Sequence, residues 1–156
     1  MIEVVDDWKG SRTFASAREL AAVSGETFAA GSRIGGAEGQ AVDWQIWYAA
    51  WAASEQAEPD KGKPTHLQVL GSDEFRATIP WHELQDAFFI FSQDNGEPLA
   101  KSFPIRLYVP RGSSECLNVK SVVRLRIAYD PSLGETATYG FHNRIEPEQL
   151  LRPVRG

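Results

Sequence analysis

A single cysteine, Cys116, stands among 156 residues. That scarcity excludes an internal disulfide and any zinc site built from several thiolates. No apolar run approaches the ~20 residues that a bilayer-spanning helix requires, so no membrane association is expected. The opening stretch, MIEVVDDWKG, lacks the basic and apolar regions of a secretory signal, and a cytoplasmic location is the expectation. A broad cationic surface is missing as well: the net charge is −5, which argues against a nucleic-acid partner, because neutralising phosphates needs basic residues in excess. Histidine is sparse. His66, His82 and His142 are scattered and form no H-E-x-x-H pattern, and spacing assigns no catalytic residue.

What is present suits one folded domain spanning 1–156. Hydrophobic residues make up 42% of the chain, with five tryptophans and eight phenylalanines, enough buried area to offset the entropy of ordering. Charge is unevenly spread. From Lys101 to Arg126 six basic residues meet one acidic residue, Glu115, so this segment carries +5 and the remainder −10. A basic segment within an acidic chain suits a small anion better than a long polyanion, although a solvated strand face would look the same.

Periodicity divides the chain into a helical early part and a sheet-rich later part. In SARELAAV, Ser16 is placed to cap a short helix, with Glu19 completing a capping box. ETFAA reads as a short strand, followed by the glycine-rich GSRIGGAEGQ. That loop lacks both the dinucleotide spacing and the lysine of a phosphate loop. VDWQIWYAAWAASEQ reads as a helix capped by Asp43, with Trp44, Trp47, Tyr48 and Trp51 on one face, a stripe expected to be core. AEPDKGKP breaks it. THLQVLG, FRATIP, FFIFSQ, PIRLYVP and VVRLRIAY read as strands, with a helical turn in WHELQDA and a turn at DNGEPL in which Asn95-Gly96 supplies positive backbone angles. The tail, TYGFHNRIEPEQLLRPVRG, offers a last strand and an amphipathic turn. The class is α+β, with helices mainly in the N-terminal half.

Residues 73–127 resemble the molybdopterin-binding domain of the sulfite oxidase family. The elements that carry the resemblance are EFRATIP, HELQD, FFIFSQ, NGEPL, PIRLYVP and VKSVVRLRI, in the family's order and spacing over about a third of the chain. AVDWQIWYAAWAA is similar to the helix that precedes this block. The resemblance implies a mixed β-sheet and an anionic molybdopterin cofactor, with Arg106 and Lys120 where the family places cationic contacts to it. Arginine forks onto phosphate and lysine supplies a point charge. Lys101 and Ser102 replace the family's usual His-Gly, and Ser121 replaces the usual Trp after the lysine. The family's molybdenum takes a cysteine thiolate from the first half of the domain. Local order places that position within TFAAGSRIGG, near Ala30 and Gly31, where no donor stands, so the resemblance implies no standard metal ligation.

Cys116 belongs to a different loop, SSECLNVK. Lys120 nearby is the kind of neighbour that favours a thiolate, but no paired histidine is evident, and an ordinary loop or core cysteine is expected. Three functions remain open: a divergent domain that has lost molybdenum chemistry but holds a pterin-type or other small anion; an active molybdopterin-dependent oxidoreductase with non-standard ligation; and a non-catalytic interaction module using the tryptophan stripe.

Overall fold

The computed structural model describes residues 1–54 and 62–141. Strand β1 (Ile2–Asp6) is followed by β2 (Gly10–Phe14), helix α1 (Ala17–Ala21), β3 (Phe28–Ala29), β4 (Gln40–Asp43) and helix α2 (Trp44–Ser54). The later part supplies β5 (His66–Gly71), β6 (Phe75–Pro80), β7 (Phe88–Ser92), β8 (Arg106–Tyr108), β9 (Val122–Ala128) and β10 (Thr138–Phe141). The architecture is therefore α+β, with both α-helices of the described residues in the first half. The amphipathic turn expected in the tail, and His142, lie outside the described residues.

Six strands form one sheet in the order β10-β6-β5-β9-β1-β2 and four form a second in the order β3-β4-β7-β8. All described pairings are antiparallel except β1 with β9, which run parallel with Glu3 opposite Arg124. The alternation expected of Val123, Leu125 and Ile127 holds for the last two, which are buried while Arg124 and Arg126 point the other way; at the start of β9 Val122 is buried in place of Val123, where the register with β5 shifts between Leu70 and Gly71. β7 is buried along its whole length because both of its faces are covered. Phe89 and Phe91 enter the main core, and Phe88 and Ile90 enter a smaller cluster with Ala30 and Ala41. That double burial explains an uninterrupted apolar run in place of alternation.

The helices form as their caps dictate. Ser16 Oγ accepts the Glu19 backbone N–H at 3.1 Å, and Asp43 Oδ1 accepts that of Ile46 at 2.9 Å. The Glu19 carboxylate reaches back to Ala15 N at 3.4 Å, one residue short of a regular capping box. Trp44, Trp47 and Trp51 are all 0% exposed, and consecutive rings stack at 5.6 Å. Each such ring removes on the order of 200 Å² from water, roughly 5 kcal/mol at 25 cal/mol/Å² before entropy is counted. The stripe is core, as expected, and offers no partner surface.

β1 was not evident from the sequence, although IEVVD buries Ile2, Val4 and Asp6 in strict alternation. Asp6 is 2% exposed. Its Oδ1 accepts from Trp8 N, Lys9 N and Tyr129 Oη at 3.0, 3.0 and 2.8 Å, and its Oδ2 accepts from Trp51 Nε1 at 3.1 Å. A buried carboxylate with these donors is satisfied in place. It ties the β1–β2 turn to α2 and to the end of β9.

Candidate functional site

The glycine-rich segment folds over the small apolar cluster. Ala30 N donates to Gly39 O at 2.9 Å, while Arg33 N and Ile34 N both donate to Ala30 O, at 3.0 and 3.1 Å. Gly39 has φ +112 and approaches β7 so closely that a Cβ there would lie 2.5 Å from Ser92 O and 2.7 Å from Ile90 Cγ2. Only glycine meets both demands. Arg33 fastens the loop. Its Nη1 pairs with Asp43 Oδ2 at 2.7 Å, and its guanidinium lies over the Phe28 ring at 4.3 Å. Arg33 was not singled out in the sequence, where a lone arginine among glycines carries no pattern.

This geometry settles what surrounds the position where the family's thiolate would be expected. Ala30 is 0% exposed and packed among Ala41, Phe88 and Ile90, with Ile34, Ala37 and Leu99 against the same cluster. Ser32 is exposed, and its hydroxyl donates to Ala29 O at 2.7 Å. Among the described residues no three His, Cys, Asp or Glu side chains group as metal ligands. Neither Ala30 nor Gly31 carries a thiolate, the ligand that the resemblance implies near this position.

Arg106 sits on β8 opposite Ile90 of β7, and Ile90 faces Ala41 of β4. Cross-strand partners share a face, so Arg106 projects on the side of the small cluster. Its guanidinium lies over the Tyr108 ring at 4.7 Å, and Tyr108 stacks on Phe88 at 5.3 Å. The Arg106 Nε is buried and has no hydrogen-bond partner. An unpaired buried donor of this kind costs about 1–3 kcal/mol.

Lys120 comes close through the backbone. Leu107 N donates to Val119 O and Val122 N donates to Ile105 O, each at 2.9 Å. These two bonds bracket Arg106 on one chain segment and Lys120 with Ser121 on the other. Ser121, at φ 51, bends its strand there. The side chains occupy different surroundings, however. Arg106 rests on the aromatic face of the four-stranded sheet. Lys120 is exposed and lines a shallow cleft of about 190 Å³ with Asp73, Phe75, Cys116, Asn118 and Val119. Gly71, the last residue of β5, permits this approach, since a Cβ there would lie 2.9 Å from Lys120 O.

Cys116 is exposed, shares the Lys120 cleft and takes no part in the buried Ala30 cluster. His66 and His82 have structural partners. The buried His66 bonds Thr65 Oγ1 at 2.8 Å and Gly134 O at 2.6 Å, and His82 Nε2 contacts Glu135 O at 3.3 Å. Both hold the β9–β10 connection. In the DNGEPL turn only Gly96 has a positive φ, at 88; Asn95 acts through its side chain, accepting Glu97 N at 2.9 Å.

No protein-family model matches the chain, nor does any curated protein or solved structure. No described helix is long and apolar enough to cross a membrane.

Proposed function

We propose that the chain is a divergent domain of the sulfite oxidase molybdopterin-binding type that holds a pterin-type or other small anion beside Arg106 and Lys120 and does not carry out molybdenum redox chemistry. The observation that carries this reading is the buried, partnerless Nε of Arg106. A donor held at that cost is relieved by an anionic oxygen, which accepts a charge-assisted bond of roughly twice ordinary strength. Tyr108, half-buried, carries the Arg106 guanidinium over its ring and stacks on the buried Phe88, which holds the cation in place. Lys120 is joined to the Arg106 segment through backbone bonds, and its side chain lines a neighbouring cleft of its own. At Ala30 an apolar side chain under a closed loop supports the loss of metal ligation.

Protein purified from a host that makes molybdopterin tests the reading directly. Elemental analysis is expected to find no stoichiometric molybdenum. Oxidation of the denatured extract is expected to yield a fluorescent pterin, depleted in Arg106→Leu and Lys120→Ala. Stoichiometric molybdenum overturns the loss of metal chemistry. A pterin-free extract, with no binding of added phosphate that responds to Arg106→Leu, overturns the anion site.

A further inference from the structure

The outer face of the six-stranded sheet holds a second basic site, independent of Arg106. Its cleft, about 240 Å³, is lined by Gln68 and Leu70 of β5, Arg76 and Thr78 of β6, and Arg124 and Arg126 of β9 among others. Register arranges these side chains in two rows. Arg76 pairs with Leu70, which pairs with Arg124; Thr78 pairs with Gln68, which pairs with Arg126. We propose that this cleft binds a small phosphate-bearing ligand, gripped between Arg76 and Arg124.

The two rows differ in how their charges are used. In the second row, Arg126 forks onto Asp7 at 3.0 and 2.8 Å and donates to Gln68 Oε1 at 2.7 Å. Gln68 Nε2 passes the chain on to Thr78 Oγ1 at 3.1 Å. That row is a preformed wall. In the first row, the Arg76 side chain has no hydrogen-bond or ion-pair partner among the described residues, and the Arg124 side chain has only that of Glu3 at 3.4 Å, Arg124 and Glu3 both being nearly half exposed. Such an exposed pair is weak and easily exchanged. Arg76 and Arg124 stand two strand spacings apart, about 10 Å at the backbone, a gap that two arginine side chains close by leaning over Leu70. Two guanidinium forks from opposite sides match the several oxygens of a phosphate, and the Leu70 side chain between them offers an apolar floor for a carbon skeleton.

Size and charge limit the ligand. At ~30 Å³ per water, the cleft equals about eight waters, room for one phosphate and a short skeleton. A long polyanion meets Glu3 and Asp7 at the β1 border and a chain of net charge −5.

The test is a titration with inorganic phosphate, with chloride at matched ionic strength as control, followed by NMR on the backbone amides and arginine Nε–H groups. Saturable shifts at Arg76, Arg124 and Leu70 are expected. Arg76→Gln and Arg124→Gln should each weaken binding by roughly five- to tenfold, and Lys9→Gln, in the β1–β2 turn, should leave it unchanged. Glu3→Gln removes the competing carboxylate and should tighten binding, an outcome that misfolding cannot imitate. Non-saturating shifts shared with chloride, an equal loss in Lys9→Gln, or no gain in Glu3→Gln would overturn the proposal. Shifts centred on Arg106 and Lys120 would also overturn it while leaving the reading of that other site standing.

Discussion

Asp6→Asn changes one buried atom and leaves the shape of the side chain intact. If the amide oxygen takes the place of Oδ1, it keeps Trp8 N, Lys9 N and Tyr129 Oη, but its NH2 then confronts the Trp51 indole N–H at the former 3.1 Å contact. Two donors face each other with Trp51 wholly buried. The opposite flip satisfies Trp51 and abandons three donors. Either way the loss of a charge-assisted bond and the burial of unpaired donors should cost about 2–4 kcal/mol. For a domain of this size that lowers Tm by about 4–16 °C. Asp7→Asn is the paired control: the same chemical change next door, at a half-exposed ion pair with Arg126, should cost no more than about 1 kcal/mol. Urea denaturation followed by far-ultraviolet circular dichroism measures both, with unchanged m-values showing that the folded and unfolded states are comparable. Equal losses in the two variants would refute the claim that Asp6 organises the β1–α2–β9 junction.

Three further outcomes follow from the same geometry. Burial, then the neighbouring Tyr48 hydroxyl, then Asp6 raise the Tyr129 pKa above its ordinary 10.0, and burial raises that of Tyr48. Both groups favour the fold as neutral phenols, so this stabilisation is complete below about pH 10 and is lost as pH rises above it; phenolate absorbance of these two residues should appear together with unfolding, and earlier ionisation in the native protein would contradict the buried network. Trp44, Trp47 and Trp51 should give blue-shifted emission resistant to iodide, with quenching confined largely to Trp8, which is 41% exposed; full quenching of native protein would place the stripe at the surface. In a Cys116→Ser background, Ala30→Cys should resist a thiol reagent until denaturant is added, while native Cys116 in the parent reacts at once; rapid native labelling at position 30 would mean that the glycine-rich loop opens.

The strands that were legible in the sequence are those whose burial is simple. β9 alternates because one face is wet, and FFIFS runs unbroken because both faces are dry. α1 and α2 announced themselves through Ser16 and Asp43, whose side chains do what caps do. β1 escaped notice because its third inward position is Asp6, a residue that reads as surface until Trp51 and Tyr129 are brought to it from distant parts of the chain. Arg106 and Lys120 were visible as cations within a matched pattern, yet their different surroundings are set by a bend at Ser121 and by the approach of Gly71, which no spacing reports. Arg76 was missed for a related reason: its partners in the outer cleft, Leu70 and Arg124, are neighbours only through sheet register.

The parallel pairing of β1 with β9 also bears on how the molecule comes to be folded. Asp7 and Arg126 meet across a separation of 119 positions, so β1, which can pair with β2 at once, waits for that length of chain before its parallel neighbour β9 exists. Closing so long a loop costs only slowly growing entropy but delays the rewarding contacts. The hairpin of β5 and β6 can assemble as soon as it is made, whereas the inner edge of β1 stays open until β9 arrives. For that interval the hairpin of β1 and β2 presents an unpaired edge beside the apolar residues Ile2 and Val4, a template for aggregation until β9 covers it.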